Sequence, residues 1–306
     1  MERLEMKAGT LTLEILPALG GKISSLRRDG VELLQAPLRP YALRTPGMQF
    51  EESDASGIDE CLPSVAACAI AGETGAVQIP DHGEFWRLPC EVERRGTCEV
   101  KLSATGSVLP LRLERTLKLE GETLRIDYRL ENVGEGEAPY VWSAHPLFCV
   151  DAGDAILLPA SVRQVTVEGS AHARLGAKGS VCNWPAAELS GGGKVDLSRA
   201  GDRSDDTGDK LYAAAPVEGW AAIERRQAGL RVQVGFDPAR SPYLGLWLCY
   251  GGWPERQEGR EQCVALEPCT APGDSLAEAL EKGRAKVLAP GQSAFWWMTI
   301  AVSEIS

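Results

Sequence analysis

Histidine is scarce in this chain, and one histidine lies in an unusual setting. His145 precedes Pro146 inside the apolar run WSAHPLFCV, residues 142–150. Proline restricts the residue before it to extended backbone, so the imidazole is expected on one face of a strand. Burial there would shift the pKa of the ring and select one tautomer, as a proton donor requires. A buried structural histidine bonded to a backbone carbonyl is the alternative.

Two further histidines complete the set of three. His82 lies in the turn-like segment IPDHGEFWRLPC, where Gly83 would let the backbone approach a ligand closely. His82 is therefore a candidate ligand-binding residue. His172 lies in the polar segment GSAHARLGAKG and is predicted to be a solvated loop residue.

Glu267 is a carboxylate in an apolar setting, between the residues CVAL and Pro268. A buried charge without a partner is unfavourable, so such a residue is either satisfied by neighbours or retained for function. Glu267 is therefore a second candidate for acid–base chemistry.

Aromatic residues could complete a binding site for a sugar. Trp247 and Tyr243 are an even number of residues apart and would share one face of a strand. Indole and phenol rings stack on the C–H face of a sugar, while directed polar groups bind its hydroxyls. Core packing is the alternative for each ring.

Other kinds of site have little support. There is no G-x-S-x-G nucleophile motif, Walker loop or dinucleotide-binding fingerprint. The nine cysteines are irregularly spaced without C-x-x-C, which predicts buried free thiols rather than a zinc site. His82, His145 and Glu267 could form a two-histidine, one-carboxylate metal triad, although the His-x-His spacing of cupins is absent. We expect no bound metal.

The elements expected to position these residues are strands. Apolar and polar residues alternate in TLTLEIL (10–16) and in LRLERTLKLEGETLRIDYRLEN (111–132), which breaks in its middle at EGE like a hairpin. Gly (33) and Pro (19) punctuate the chain at short intervals. The best helix candidate is 274–285, with Asp274 as its N-cap. The pattern predicts an all-β fold, a large antiparallel β-sandwich with few short helices.

Domain organisation and location follow from composition. No composition shift marks a boundary, and the glycine-rich segment 188–210 is expected to be a long loop, so residues 1–306 are predicted to form a single domain. We find neither an apolar core of signal-peptide length nor a transmembrane run, so we expect a cytoplasmic protein without a membrane partner. A net charge of −11 disfavours nucleic acid. Monomer and homodimer both stay open.

Five motifs, taken in order, resemble those of the aldose 1-epimerases, or galactose mutarotase-like proteins. They are LPALGGKISSLRRDGVELL (16–34), DHGEFW (81–86), YVWSAHPLF (140–148), DKLY (209–212) and VALEP (264–268). Each motif is short and weakly specific, but their order along nearly the whole chain is more specific. The resemblance implies the family's β-supersandwich, which the period-two pattern independently favours.

The resemblance also implies a reaction, the interconversion of the α and β anomers of an aldose through ring opening. By carry-over, Glu267 is the base that takes the proton of the anomeric hydroxyl, and His145 is the acid that protonates the ring oxygen. His82 would bind near that oxygen, and Asp209 would hold a sugar hydroxyl. No cofactor is expected, because each step is a proton transfer between groups of tuned pKa.

The sequence departs from the family where substrate specificity is set. Sugar-specific members carry an Asn-Arg pair before the first histidine, whereas the segment 48–68 has no arginine. Asp59 or Glu60 is a candidate for that sugar-binding role. The hexose-6-phosphate branch carries H-G-f-a-R, whereas HGEFWR places Arg87 one residue later. Arg87 is a candidate substrate contact, but a phosphate clamp is not expected.

The sequence therefore predicts a cofactor-independent, aldose 1-epimerase-like isomerase that acts on a small-molecule sugar. The first alternative is a non-catalytic carbohydrate-binding protein on the same scaffold. A hexose-phosphate epimerase and a metal-dependent sugar isomerase are further alternatives. The identity of the sugar is left open.

Overall fold

The computed structural model describes residues 1–45, 47–72, 75–214, 218–254 and 260–305. These residues form 25 strands and one short α-helix, α1 (Leu276–Glu281). In chain order the strands are β1 (Leu4–Ala8), β2 (Leu11–Leu16), β3 (Lys22–Arg28), β4 (Val31–Glu32), β5 (Gly57–Cys61), β6 (Cys68–Gly72), β7 (Gly75–Ile79), β8 (Glu91–Arg94), β9 (Glu99–Thr105), β10 (Leu111–Glu120), β11 (Thr123–Asn132), β12 (Ala138–Tyr140), β13 (Ser143–Cys149), β14 (Ala155–Leu157), β15 (Gln164–Ser170), β16 (Val181–Asn183), β17 (Ala186–Glu188), β18 (Lys194–Asp196), β19 (Thr207–Ala214), β20 (Trp220–Arg225), β21 (Leu230–Phe236), β22 (Tyr243–Tyr250), β23 (Gln262–Cys269), β24 (Lys286–Leu288) and β25 (Ser293–Glu304).

The hairpin predicted at 111–132 is confirmed. β10 and β11 pair antiparallel in continuous register, and the last pair joins Glu120 to Thr123 across a turn of Gly121 and Glu122. Alternate residues of both strands are buried, as the period of two predicts.

Two large antiparallel sheets carry most of the strands. The first has eleven strands, in the order β1-β2-β3-β5-β13-β23-β22-β19-β15-β16 with β4 beside β3, and the second has the order β14-β20-β21-β25-β11-β10-β9-β8. Leu13 and Phe148 of the first sheet and Leu117 and Ile300 of the second belong to one hydrophobic core. Full burial of each such side chain contributes about 1.5–3 kcal/mol. The predicted all-β sandwich is thus confirmed.

A polar cluster is buried between the two sheets. Glu60 of β5 accepts hydrogen bonds of 2.8–3.0 Å from Arg115 of β10, Tyr128 of β11 and the indole Nε1 of Trp142. Burial raises the pKa of the Glu60 carboxyl. This position inside the sandwich corrects the suggestion that Glu60 contacts a sugar, because all of its partners are core residues.

The face of the first sheet opposite this core carries a second, smaller group of buried apolar residues. Leu147 of β13, Cys249 of β22 and Ala265 of β23 point to this side, since side chains alternate between faces along a strand. Phe50 and Trp86, from segments between strands, pack over them. This second face is where the candidate site lies.

The predicted helix at 274–285 is shorter than expected. It spans Leu276–Glu281, and its N-cap is Ser275, whose Oγ accepts a hydrogen bond from the Glu278 N–H. The side chain of Asp274 is instead bonded to Tyr212, 2.5 Å away. The helical pattern was recognisable, but the cap was assigned one residue too early.

The segment 188–210 is not one long loop, as had been expected. β17 and β18 form a hairpin, with the three glycines 191–193 in the connection between them, and β19 begins at Thr207. The glycine run therefore makes a turn, where Gly192 and Gly193 have positive φ angles.

All nine cysteines are free thiols, as predicted, although only five of them are fully buried. Among the described residues, no helix is both long enough and apolar enough to cross a membrane.

Candidate active site

Five neighbouring strands bring together residues that are far apart in sequence. Their order in the first sheet is β5, β13, β23, β22 and β19. Glu267 of β23 is paired with Gly245 of β22, and Lys210 of β19 is paired with Trp247 of β22. His145 of β13 completes the group from the other side of β23. These side chains share the sheet face that points away from the core.

Glu267 is fully buried, and only one of its oxygens is bonded. Oε2 accepts hydrogen bonds from Lys210 Nζ and, at 3.4 Å, from Ser143 Oγ. Oε1 has no hydrogen-bond partner and lies 3.9 Å from His145 Nε2. Nearly all buried polar atoms of folded proteins are paired, so an unpaired carboxylate oxygen requires an explanation. Oε1 is an oxygen that could accept a proton.

Four other buried carboxylates of the chain are bonded through both oxygens. Asp59 binds Arg44 and Lys22, and Glu84 accepts four backbone and side-chain donors from residues 107–109. Glu60 and Asp209 are also bonded through both oxygens. Glu267 differs from these structural carboxylates because half of its hydrogen-bonding capacity is unused.

His145 is buried beside Glu267, with 6% of its surface exposed. Burial, followed by the neighbouring His82 and Lys210, lowers the pKa of His145 well below its ordinary value. The imidazole is therefore neutral at neutral pH, and its Nδ1 is buried without a partner. A neutral imidazole can still donate its N–H to a substrate oxygen, as in enzymes that use histidine as an electrophile.

His82 lies next to His145 and is held by an aromatic stack. Its ring is parallel to that of Phe50 at a centroid distance of 3.6 Å, and it meets the His145 ring edge-on at 5.4 Å. The backbone of His82 has a φ of 56°, and its N–H donates to Val65 O. Because both histidine rings are fixed by packing, they can present their nitrogens to one ligand.

Gly83 has a structural role that differs from the predicted one. A Cβ at this position would lie 2.0 Å from the carbonyl oxygen of Leu62, and φ is +70°. The close backbone approach is therefore to Leu62, not to a ligand. It fixes the turn that carries His82.

A cavity of about 290 Å³ opens above these side chains, close to the lower end of the range for small-molecule sites. It combines apolar walls with a few polar groups. Its lining comprises Phe50, Ala55, Val65, Ala66, Asp81, His82, His145, Lys210, Trp247, Trp253, Glu261 and Asp274. The Glu267 carboxylate lies beneath His145 and Lys210.

Trp247, the candidate residue for stacking on a sugar, lines this cavity. Its indole ring extends over Gly208, where an added Cβ would lie 3.1 Å from the ring. The ring of Trp253 meets it edge-on at 6.5 Å. Gly208 therefore allows a large flat ring to lie along the sheet and form one wall of the cavity. Tyr243 is not among the lining residues.

Glu261 was not identified from sequence, although it is a buried carboxyl in the cavity wall. It is 2% exposed, and the indole of Trp247 donates a hydrogen bond to it. Burial raises the pKa of Glu261 to about 7. Glu261 lies just before β23 among charged and polar residues, so its sequence context does not indicate burial as the apolar residues around Glu267 do.

Lys210 is the second residue that sequence reasoning missed. It is 9% exposed, and the charges of Glu267 and Asp274 outweigh burial and raise the pKa of its ammonium group. Lys210 follows Asp209 in the motif DKLY. The motif was recognised in the sequence, but the role in the site was assigned to Asp209.

The architecture is shared with several solved structures. The Slr1438 protein from Synechocystis sp. PCC 6803 has a TM-score of 0.75 at 18% identity, over 99% of this chain and 96% of that one. A suggested aldose 1-epimerase from Escherichia coli K12 has a TM-score of 0.74 at 18% identity, over 99% of each chain. A galactose mutarotase related enzyme from Lactobacillus acidophilus has a TM-score of 0.71 at 12% identity, over 100% of both.

The chain has the galactose mutarotase-like fold. The resemblance indicated by the five sequence motifs is thus confirmed in the architecture. Neither a protein-family model nor a curated sequence matches the chain. At these low identities the likeness establishes the fold, and the roles of individual residues depend on their own geometry.

Within the mutarotase-like fold, Asp59 is near the site but is fully bonded. It lies opposite His145 in the sheet register and is bonded to Arg44, at 3.0 and 3.2 Å, and to Lys22, at 2.7 Å. Burial opposes ionisation, but these two cations outweigh it and lower the pKa of Asp59. The prediction that Asp59 binds sugar is corrected, since its oxygens are already occupied and it does not line the cavity.

Arg44 is the arginine that approaches the site from the segment before His82. Its guanidinium group packs 4.8 Å from the Trp86 ring and donates to Asp59 and to the Trp86 carbonyl. Arg44 thus ties Asp59 to the backbone of Trp86, and it precedes the segment 48–68, in which the sequence has no arginine.

Asp209 is not in the cavity. It is fully buried and accepts hydrogen bonds from Ser170, at 2.7 Å, and from Arg174 Nε, at 3.0 Å. The alternation of side chains along β19 sends Lys210 to the cavity face and Asp209 to the opposite face. The predicted sugar contact of Asp209 is therefore corrected.

Two further predictions concern Arg87 and His172. Arg87 is half-buried and does not line the cavity, so its predicted contact with substrate is not supported by its position. His172 is exposed, with 76% of its side-chain surface accessible, as expected of a loop residue.

The geometry around His82, His145 and Glu267 bears on the suggested metal triad. In the described part of the chain, no three side chains of His, Cys, Asp or Glu are grouped so that they could hold a metal ion. His82, His145 and Glu267 are neighbours, but the Lys210 ammonium group already occupies one oxygen of the carboxylate.

Proposed function

We propose that this protein is an aldose 1-epimerase-type isomerase that interconverts the anomers of a sugar without a cofactor. The observation that carries this proposal is the unpaired oxygen of Glu267, buried 3.9 Å from His145 Nε2 beneath a cavity. A carboxylate beside a neutral imidazole is a base next to a hydrogen-bond donor that can stabilise charge on a substrate oxygen. The mutarotase-like fold supports the proposal but does not by itself identify an activity.

The proposed reaction begins with a cyclic aldose in the cavity. Glu267 Oε1 takes the proton of the anomeric hydroxyl, while the N–H of neutral His145 hydrogen-bonds to the ring oxygen and stabilises the negative charge that it gains as the ring opens. The bond between the anomeric carbon and the ring oxygen breaks, which leaves an open-chain aldehyde. Rotation about the adjacent carbon–carbon bond and the reverse proton transfers close the ring as the other anomer. Each proton that leaves one group is returned, so the protein is unchanged.

His82 and Trp247 are proposed to hold the sugar. His82, fixed against Phe50, lies beside His145 and can bond the ring oxygen or a neighbouring hydroxyl. Trp247 offers a ring face for the C–H surface of the sugar, and Glu261 and Asp274 offer carboxyl groups for its hydroxyls.

The charge of the cavity favours an unphosphorylated sugar. Asp81 and Asp274 contribute carboxyl groups to the described cavity lining, Glu261 is partly protonated at neutral pH because its pKa is raised to about 7, and Lys210 is already paired with Glu267. Among the described lining residues, a phosphate group would meet these carboxyl groups and no lysine or arginine other than the paired Lys210, which is electrostatically unfavourable. We therefore propose a neutral aldose as substrate, rather than a hexose phosphate.

Polarimetry or exchange NMR tests the proposal directly. Wild type is assayed with glucose, galactose, other common aldoses and their 6-phosphates, and so is Glu267→Gln. Wild type should accelerate anomer interconversion of at least one unphosphorylated aldose. The Gln variant should lose about 10²–10⁴-fold in rate, the usual contribution of a general acid–base group.

A matched control is Glu188→Gln, at an exposed position on β17, which should leave the rate unchanged. Sugar binding, measured by titration calorimetry, should persist in Glu267→Gln. If wild type binds a sugar but does not accelerate its anomer interconversion, the protein is a carbohydrate-binding protein and the enzyme proposal is wrong.

A further inference from the structure

Lys210 binds the proposed base directly, although the motif DKLY in which it lies implied a role only for Asp209. Its Nζ donates to Glu267 Oε2, while its side chain also forms part of the cavity wall. Lys210 is thus the one cationic group bonded to Glu267 among the described residues. His145, the other nearby group that could carry positive charge, is kept neutral by burial.

We infer that Lys210 is a positioning residue: it holds Glu267 ionised and bonded through Oε2, so that Oε1 alone remains to accept the substrate proton. This inference rests on the proposed function for its catalytic meaning. Its structural part, the control of the ionisation and orientation of Glu267, can be tested without activity.

The burial of Glu267 makes a counter-charge necessary. Glu267 is 0% exposed, and a carboxylate without a counter-charge in such a place would favour its protonated form. A protonated Glu267 could not act as a base. The Lys210 ammonium group supplies the compensating charge while it remains bonded to a single oxygen.

Both donors to Glu267 bind the same carboxylate oxygen. Ser143 Oγ approaches the same oxygen as Lys210, at 3.4 Å, so both donors converge on Oε2. Structural ion pairs in this chain, such as Asp59 with Arg44 and Lys22, occupy both oxygens instead. The donors to Glu267 therefore fix the orientation of its carboxylate through Oε2 and leave Oε1 available to accept a proton.

Gly245 provides the space for this contact. It stands opposite Glu267 on β22, and an added Cβ would lie 3.0 Å from Glu267 Oε2 and 3.3 Å from the Tyr212 ring. A side chain there would crowd the oxygen that Lys210 binds. The absence of a side chain on β22 allows a lysine on β19 to reach a carboxylate on β23.

Several titratable groups surround Glu267 and define the background for any pH effect. They come from β13, β19, β5 and β23 itself, together with the residue two positions before α1. These groups are His145, Lys210, Tyr212, Cys61, Cys269 and Asp274. Burial raises the pKa of Cys61, Cys269 and Tyr212, so these three are neutral at neutral pH. Lys210 is therefore the group whose removal changes the charge next to Glu267.

The experiment measures the ionisation of Glu267 by infrared difference spectroscopy, with Glu267→Gln identifying its carboxyl band. In wild type the band should be that of a carboxylate at neutral pH. In Lys210→Met it should become that of a carboxylic acid. Lys210→Arg, which keeps the charge, should retain the carboxylate band.

Kinetics provide the second measurement. If wild type accelerates mutarotation, Lys210→Met should reduce the rate about 10- to 100-fold, the equivalent of one charge-assisted hydrogen bond. The acidic limb of its pH–rate profile should move to higher pH, whereas that of Lys210→Arg should not. A purely structural role would lower the amount of folded protein without moving this limb. Lys118→Met, an exposed position in the second sheet, is the control.

The outcomes separate the two proposals. A carboxylate band that persists unchanged in Lys210→Met would overturn the positioning role, whether or not the protein is an enzyme. If Lys210→Met does not fold, the arginine variant decides: a shifted pH limb or a carboxylic acid band in it would overturn the role. Wild type without activity but with the expected band shift would overturn the proposed function and leave the control of Glu267 by Lys210 intact.

Discussion

Asp209 and Lys210 are consecutive residues of one strand, yet their carboxylate and ammonium groups lie on opposite faces of the first sheet. Lys210 bonds Glu267 at the cavity, whereas Asp209 bonds Arg174 and Ser170 on the other side. The period of two along a strand makes this separation unavoidable. An assignment that is wrong by one residue in this motif therefore selects the structural Asp209 instead of the cavity residue Lys210.

Asp209→Asn should destabilise the protein without changing sugar binding. The substitution removes the negative charge that pairs with Arg174, and hydrogen bonds to charged groups contribute about 1.5–3 kcal/mol. We expect a loss of about 2 kcal/mol in the free energy of unfolding, measured by urea denaturation. The KM for sugar should stay unchanged, and a raised KM in a fully folded variant would restore Asp209 as a sugar ligand.

Trp247→Leu should weaken sugar binding more than it slows the chemical step. The variant keeps an apolar side chain but loses the flat ring that lies over Gly208 in the cavity wall. We expect the KM to rise about tenfold, equivalent to about 1.4 kcal/mol. Steady-state polarimetry over a range of sugar concentrations separates KM from kcat.

The matched control is Trp220→Leu, which changes a partly buried tryptophan of the second sheet. Its KM should equal that of wild type. An equal effect of both substitutions on KM would show that the loss at Trp247 reflects general destabilisation rather than contact with sugar.

Glu261 should make the stability of the protein depend on pH. Because burial raises its pKa from 4.5 to about 7, the folded state holds a proton that the unfolded state has already released within this range. Stability therefore falls as pH rises from about 4.5 to about 7, by about 3 kcal/mol from this one group. Urea denaturation at about pH 5 and about pH 8 measures the difference.

Glu261→Gln should remove this dependence. His145 acts in the opposite direction, since its pKa is lowered and stability is lost as pH falls below 6.5, but its contribution is the same in both proteins. The difference between wild type and variant thus isolates Glu261. Identical pH dependence in the two proteins would contradict a protonated Glu261.

The sequence was most informative where a local pattern has a direct physical cause. Alternating residues in 111–132 predicted both strands of a hairpin and its turn, because one face of each strand is buried against the core. The helix at 274–285 was less well predicted. Its N-cap depends on which of two adjacent polar side chains reaches the backbone, and Tyr212, distant in sequence, binds the side chain of Asp274.

The amino-acid sequence by itself determined which residues could do acid–base chemistry: His145 and Glu267 stand out because polar groups in apolar strands must be satisfied or used. Their proximity, the vacant oxygen of Glu267 and its pairing with Lys210 were decided only by the tertiary structure. The reason is that these contacts join β13, β23 and β19, and strand order and register are set by packing over the whole sandwich. The same packing gave Asp59, Glu60 and Asp209 internal partners, which local sequence does not specify.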